Sequence, residues 1–476
     1  MKYDSANRIS KIGIASATGN DILIPLAEYG YNSSNGMLDT MTYGNGTVKS
    51  FSYNKLGQIT EEEYNGVLKY AWDYSRTGLV TKHMDCESDI TWNYGYDEKG
   101  RLTDIIGNNG NIARFHYTKT GDFKTYFTYS GIGVKSAMLE YTYENTDSHM
   151  PKAKTSFNDS TLTKVFDPTS RLISKELRNN LTSNYYKTTF GYEKASGIYE
   201  SGRVNKITYE RKNSSGSNLS SSNISYKYDK NGNITQIIEN GTIMYQYHYD
   251  EQIQLVREDN RVLNKSVMYL YDAGGNLYNK RYFAFTTGSL YGSPTTIFYQ
   301  FDSEWKDKLA KITDNISGKT YNITYDSIGN PINYRDELVF GWTQGRRLST
   351  VKKNGSLLAS YKYNADGLRT KKTVNGVTTD YFWVNDKLMS ESNSSRKILY
   401  WYDESGSIEG FEYNGSKYYY KKNLQGDIIG ILDRYFNEVA KYYYDAWGKL
   451  LYIRDGNDND VTNNTSHIGY INPIRY

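Results

Sequence analysis

The chain has 476 residues and almost balanced charge, 57 Lys and Arg against 53 Asp and Glu, with the two signs interspersed. That argues against a nucleic-acid or anionic-membrane surface, which concentrates its basic residues in a stripe; Lys371-Lys372 and Lys421-Lys422 are short and isolated. Mean hydropathy is −0.73, no apolar run approaches the roughly 18 residues of a membrane helix, and a single cysteine, Cys86, excludes an internal disulfide. The composition stands out in its aromatics: 50 Tyr against 15 Phe and 7 Trp, with 41 Gly and only 6 Pro. Tyrosine suits a sheet with one damp face, and few prolines suit a chain that must donate to ladders.

In chain order, one phrase recurs: Tyr-x-Tyr-Asp, two free residues, Gly, then a basic or amide residue and Leu or Ile. A weak copy opens the chain at Tyr3-Asp4. The second Tyr of the phrase, or its stand-in, then falls at Tyr53, Tyr74, Tyr96 and Tyr117, in steps of 21, 22 and 21. A full copy is Tyr94-Gly-Tyr96-Asp97-Glu-Lys-Gly100-Arg101-Leu102. After a weak copy at Phe166-Asp167, full ones return at Tyr226-Lys-Tyr228-Asp229-Lys-Asn-Gly232-Asn233-Ile234 and Tyr269-Leu-Tyr271-Asp272-Ala-Gly-Gly275-Asn276-Leu277. Weaker copies at Phe301, Tyr325, Tyr363 and Tyr402 lead to Tyr442-Tyr443-Tyr444-Asp445-Ala-Trp-Gly448-Lys449-Leu450. Such a fixed period marks a scaffold built by stacking copies.

Local chemistry says what each copy becomes. In Tyr-x-Tyr both rings share one face of a strand. Asp opens a turn because its carboxylate accepts hydrogen bonds from the backbone just ahead. Gly three residues on suits the left-handed position, where a β-carbon is penalised. Each copy therefore reads as a β-hairpin, joined by a looser turn to the next, and neighbours must pair because an isolated hairpin is marginal in water. The expectation is an all-β chain, a single continuous repeat domain over 1–476. Polar or glycine-rich interruptions near 144–156, 211–223, 286–296 and 455–467 read as loop insertions.

The chain holds no His-Glu-x-x-His, no Gly-x-Ser-x-Gly and no Cys pair for a metal. His83, His116, His149, His248 and His467 never fall at ligand spacing, and His116 and His248 occupy the x position, on the sheet surface. Glu61-Glu62-Glu63 reads as an exposed charged stretch. Asp455-Gly-Asn457-Asp458-Asn459-Asp460 lacks the Gly and Glu of a calcium loop and reads as a solvated loop. Gly410 to Lys417 has Ser and Lys in the wrong order for a phosphate loop. Tyr418–Tyr420 and Tyr442–Tyr444 read as packing between adjacent layers. No cofactor or metal is expected, and no catalytic residue.

The block Tyr418-Tyr419-Tyr420-Lys-Lys-Asn423-Leu424-Gln425-Gly426-Asp427-Ile428-Ile429-Gly430 resembles the most characteristic stretch of the Rhs/YD-repeat family, as does Val439 to Leu450; residues 413–476 carry the most specific match. The resemblance implies a long antiparallel sheet of YD-repeat hairpins, curved and spiralling into part of an Rhs-type shell. In bacteria such shells commonly enclose a C-terminal toxin, in secreted, cell-surface or wall-associated polymorphic toxins. It also implies a structural role without chemistry, with the chain's own C-terminal effector or further shell repeats as partner. The structural residues of the repeat are then Tyr96, Asp97 and Gly100; Tyr228, Asp229 and Gly232; Tyr271, Asp272 and Gly275; Gly426 and Asp427; Tyr444, Asp445 and Gly448. Asp167-Pro168 lacks the Gly-Leu of the family's self-cleavage motif and inherits no protease role. Met1 runs directly into a repeat with no leader, and Asn472-Pro473-Ile474-Arg475-Tyr476 ends before the family's plug, so the expectation is a piece of a longer polypeptide. A carbohydrate-binding surface adhesion module, with tyrosines stacking on glycans, is the alternative.

Overall fold

The computed structural model describes residues 1–15, 22–117, 124–131, 137–144, 152–196 and 199–475. Among them the repeat is expressed as antiparallel strands, and helix is confined to the short turns Arg335–Glu337 and Ile468–Ile471. The hairpin ladder runs as two long sheets parted at Ile323, a buried residue between Lys319–Asn322 and Thr324–Tyr325.

Two kinds of link alternate along the ladder. The Asp-to-Gly turn joins, for example, Val48–Tyr53 to Ile59–Tyr64. At this link the register slips by one residue, as where Tyr96 faces Leu102 while Gly95 faces Asp104; such bulges increase strand twist. The other link is tighter than the looser turn expected. Asn65-Gly66, Asn240-Gly241, Asn354-Gly355, Asn375-Gly376 and Asn414-Gly415 all have both residues at positive φ, the two-residue type I′ geometry that matches strand twist. The Asn-Gly pairs were in the sequence, overshadowed by the Tyr-Asp phrase.

The left-handed place in the wider turn is filled by Gly100, Gly232, Gly275, Gly426 and Gly448 at φ between 76° and 96°. It is filled elsewhere by Ser170, Asp458, Phe436 and even Ile253, at φ 65°. A β-branched side chain costs about 1–2 kcal/mol there. Ile253 is exposed at 53 %, so little packing offsets the strain. Ile253→Gly should therefore stabilise the chain by roughly 1 kcal/mol, and Gly232→Val should destabilise it by about 1–3 kcal/mol. Urea midpoints moving in one direction for both would refute the turn assignment.

The segment read as a loop near 211–223 is instead hairpin. Strands Tyr199–Lys212 and Asn218–Tyr228 pair from Lys206–Ser225 out to Lys212–Asn218, because Ser side chains tolerate the pleat and the turn Asn213–Ser217 closes on Asn213 Oδ1. Residues 145–151 of the 144–156 insertion lie outside the described residues, as does His149.

The strands gather into two compact units: Met1–Phe115 with Tyr129–Ser136 and Phe298–Lys397, and His116–Thr128 with Ala137–Ile297 and Ile398–Tyr476. In the first, early hairpins face late ones: Tyr70 is fully buried, and Trp92 stacks on Phe382 at 5.6 Å. The second has a core of Ile207, Tyr209, Ile224, Tyr226, Ile237 and Tyr245, against which Leu424 and Ile429 pack from the facing hairpins. Trp401 there lies between Phe157 (5.8 Å) and Tyr419 (5.5 Å).

Candidate functional site

The repeated turn is a clamp built on one carboxylate. Asp97 Oδ1 accepts the backbone N–H of Lys99 and Arg101, and Oδ2 accepts from Arg101 Nε at 2.6 Å. Asp229 and Asp272 repeat the two backbone bonds, with Asn233 and Asn276 reaching back to Oδ2. Asp445 accepts from Trp447 and Lys449. Backbone bonds from Arg101 and its side-chain bond hold the Asp97 carboxyl below its ordinary range. This explains the basic or amide residue of the phrase: it is the second partner of the turn carboxylate.

Asp427 sits differently from the other motif aspartates. Asn423 takes the clamp position, accepting the Asp427 N–H on Oδ1 and donating Nδ2 to Asp427 Oδ2 at 2.7 Å. Donor and acceptor have changed places in the side-chain bond alone, while Gly426 keeps its left-handed φ of 96°. Asp455 to Asn459, read as a solvated loop, is also a clamp turn: Oδ1 takes the N–H of Asn457 and Asn459, with Asp458 in the glycine place at φ 66°.

The second Tyr of the phrase has a partner that sequence reasoning did not identify. Its hydroxyl donates to the carbonyl of the Leu, Ile or Val that closes the preceding wide turn: Tyr53 to Leu38, Tyr74 to Ile59, Tyr96 to Val80, Tyr249 to Ile234, Tyr271 to Leu255, Tyr363 to Leu348 and Tyr444 to Ile428, at 2.7–3.1 Å. Tyr228 donates likewise to Val204. Where tryptophan replaces tyrosine the indole does the same, Trp342 Nε1 to Pro331 O and Trp383 Nε1 to Arg369 O. Each of these copies is thus riveted to the one before it, a role that Phe could not fill. Tyr271→Phe should cost about 1 kcal/mol and raise amide exchange along Leu255–Asn260; an unchanged exchange profile would count against the rivet.

Charged groups lie on inner faces where the sequence suggested surface. Glu62, within the stretch read as exposed, is 8 % exposed and pairs with Lys49 Nζ at 2.8 Å. Strand alternation turns it inward beside Tyr64, and Lys49 reaches it from Val48–Tyr53. His83 is buried too, stacked on Trp72 at 5.1 Å, and burial lowers its imidazole to about 4. His248 is on the surface as expected.

In the second unit an ionic network joins the facing hairpins. The copy at Asp403 carries Ser407 in the basic place, so its Oδ2 is met from the facing hairpins by Lys164 Nζ at 2.5 Å, which also donates to Glu404 at 2.8 Å. Glu409 accepts from Lys175 at 2.7 Å, with Lys422 3.5 Å away. Burial opposes the Glu409 charge, yet Lys175 and Lys422 hold its carboxyl down to about 2. Glu258, fully buried, accepts from Tyr269 Oη, Asn260 Nδ2 and the Ala446 N–H. These are ion pairs and clamps without a nucleophile aligned to a base, and no cluster of three or more metal-ligating side chains occurs among the described residues. Two cavities, of about 390 Å³ and 220 Å³, lie in this unit.

No protein-family model matches the chain. Over 206 residues, 42 % of the chain, it is 34 % identical to the tRNA3(Ser)-specific nuclease WapA of Bacillus spizizenii and 33 % identical to the tRNA nuclease WapA of Bacillus subtilis. A solved TcdB2–TccC3–TEV structure superposes on 95 % of the chain with a TM-score of 0.61 at 15 % identity, which shows a shared fold. The sequence kinship and the shared fold together support an Rhs/YD-repeat protein. The aligned part spans 8 % of the length of each WapA relative, and the superposed part 25 % of the TcdB2–TccC3–TEV chain. In this chain the Tyr-x-Tyr-Asp phrase has a physical content: aspartate clamps the turn and tyrosine rivets neighbouring copies.

Proposed function

We propose that this chain is wall of a bacterial toxin shell that encloses or presents a C-terminal effector, acting outside the producing cell or on its surface and performing no chemistry itself. The observation that carries the reading is the continuity of the rivets: tyrosine hydroxyls tie copy to copy in both units, and a barrier is the use for which such copy-by-copy cohesion is suited. The sequence kinship to nuclease toxins and the shared fold support it. Sequestration would be mechanical: an effector behind hydrogen-bonded sheet is beyond the reach of protease and substrate.

The test uses the gene product with all the sequence its reading frame encodes, beside the same product with its downstream segment released by an engineered protease site. The segment should resist limited proteolysis and lack toxicity while joined to intact wall, and gain both protease sensitivity and activity once released. A segment equally digested and equally active in both states would refute encapsulation.

A further inference from the structure

The inner face of the second unit carries two carboxylates on neighbouring hairpins, and they are treated differently. Glu258 has three donors. Glu239, next to the apolar cluster on the same face as Ile237, has a carboxylate that makes no hydrogen bond or ion pair among the described residues; it lines the cavity of about 390 Å³. Tyr245, Tyr247 and Tyr443 line the same cavity, and their hydroxyls likewise have no hydrogen-bond partner among the described residues, unlike the rivet tyrosines. Tyr245 and Tyr247 lie parallel, ring centroids 6.3 Å apart and 9° between planes. The two lysines of the cavity are already neutralised: Lys421 by Glu438 at 3.0 Å and 3.2 Å, Lys441 by Asp458 at 2.7 Å. Burial raises the Glu239 carboxyl above its ordinary value despite Lys421 nearby.

A part-buried carboxylate with no protein donor beside it is costly to the extent that water is kept from it. What the cavity lacks is a positive group with several N–H donors and an alkyl body to lie against ring faces. The volume is in the range of small-ligand sites, and tyrosine faces attract ammonium groups. A neutral polyol would satisfy the hydroxyls and leave the charge uncompensated. We propose that this cavity is a binding site for a small primary alkylammonium ion, its nitrogen held by Glu239 and the Tyr443 and Tyr245 hydroxyls and its chain set against Tyr247. The proposal is independent of the shell reading, since it concerns a cavity inside one unit.

The probe is n-butylammonium, titrated calorimetrically into the full chain, with n-butanol as the neutral isostere and glucose as the polyol. Saturable binding of butylammonium is expected, at least tenfold tighter than either control. Glu239→Gln, of nearly equal volume, should weaken it at least tenfold while far-UV circular dichroism stays unchanged, and Tyr247→Phe, which keeps the ring, should change it less than threefold. In the unmutated chain, butylammonium should slow amide exchange in Ile234–Glu239 and Thr242–Tyr249, a readout that stands even if a variant misfolds. Absence of saturable binding, equal binding of butanol or glucose, or full affinity in Glu239→Gln would overturn the site and leave a water-filled cavity.

Discussion

Glu409→Gln should destabilise the second unit by about 3–5 kcal/mol, the range for breaking one partner out of a buried ion pair. Glu409 is 8 % exposed and lies between Lys175 and Lys422, whose ammonium group is itself pushed down by burial. Removing the carboxylate leaves two part-buried ammonium groups facing each other. The pH dependence has a definite sign. Glu409 titrates at about 2 in the folded chain against 4.5 ordinarily, so its contribution, about 3 kcal/mol for that difference, is complete above roughly pH 4.5 and is lost as pH falls through about 2. The gap in stability between the parent chain and Glu409→Gln should therefore narrow over that window. Adding Lys422→Met to Glu409→Gln should recover part of the loss, because a well-packed apolar replacement of a buried pair is often neutral. Amide exchange in Ile408–Tyr413 is the local readout. A gap independent of pH between 5 and 2, or a double variant no better than the single one, would mean the network contributes little.

What was legible in the sequence was whatever a single copy determines. Asp97, Gly100 and Tyr96 could be assigned because the clamp and the left-handed residue are local: a carboxylate reaches backbone two and four residues ahead, and a positive φ excludes most side chains. Period-2 alternation likewise placed the tyrosines on strands. What escaped depends on a second copy or on the facing hairpins. The acceptor of Tyr271 lies 16 residues back, and the partner of Asp403 is Lys164, 239 positions away in the chain. Yet the departure itself was visible, since Ser407 stands where the phrase asks for a basic or amide residue and so leaves one carboxylate oxygen without its usual local partner. Glu62 shows the opposite failure. Charge was taken for exposure, although the alternation that buries Tyr64 also turns Glu62 inward. The Asn-Gly links are local too and carry the stronger hairpin signal, but they recur less regularly than the tyrosines and so do not stand out by period.

Tyr70→Phe should be the most damaging hydroxyl deletion in the first unit, at about 2–4 kcal/mol, against about 1 kcal/mol for an ordinary rivet. Tyr70 is fully buried, and burial raises its phenol strongly. Its oxygen accepts from Arg347 Nη1 at 2.7 Å and donates toward the Tyr363 carbonyl at 2.8 Å, with Gln344 Oε1 at 3.2 Å. Arg347 also reaches the carbonyls of Asn364 and Ala365, each at 2.7 Å. One hydroxyl thus joins strand Val67–Tyr74 to the turn that follows Ser356–Tyr363. A phenylalanine keeps the ring and its packing, so the loss isolates the polar part: a part-buried guanidinium short of one acceptor and a carbonyl short of its donor. Tyr363→Phe is the matched comparison, because it removes only the rivet to Leu348 and leaves the Arg347 cluster whole. Denaturant midpoints should fall at least twice as far for Tyr70→Phe, with amide exchange rising on both Val67–Tyr74 and Ser356–Tyr363. Equal losses for the two variants would show that the cluster adds nothing beyond an ordinary repeat contact, and that cohesion in this unit rests on ring burial alone.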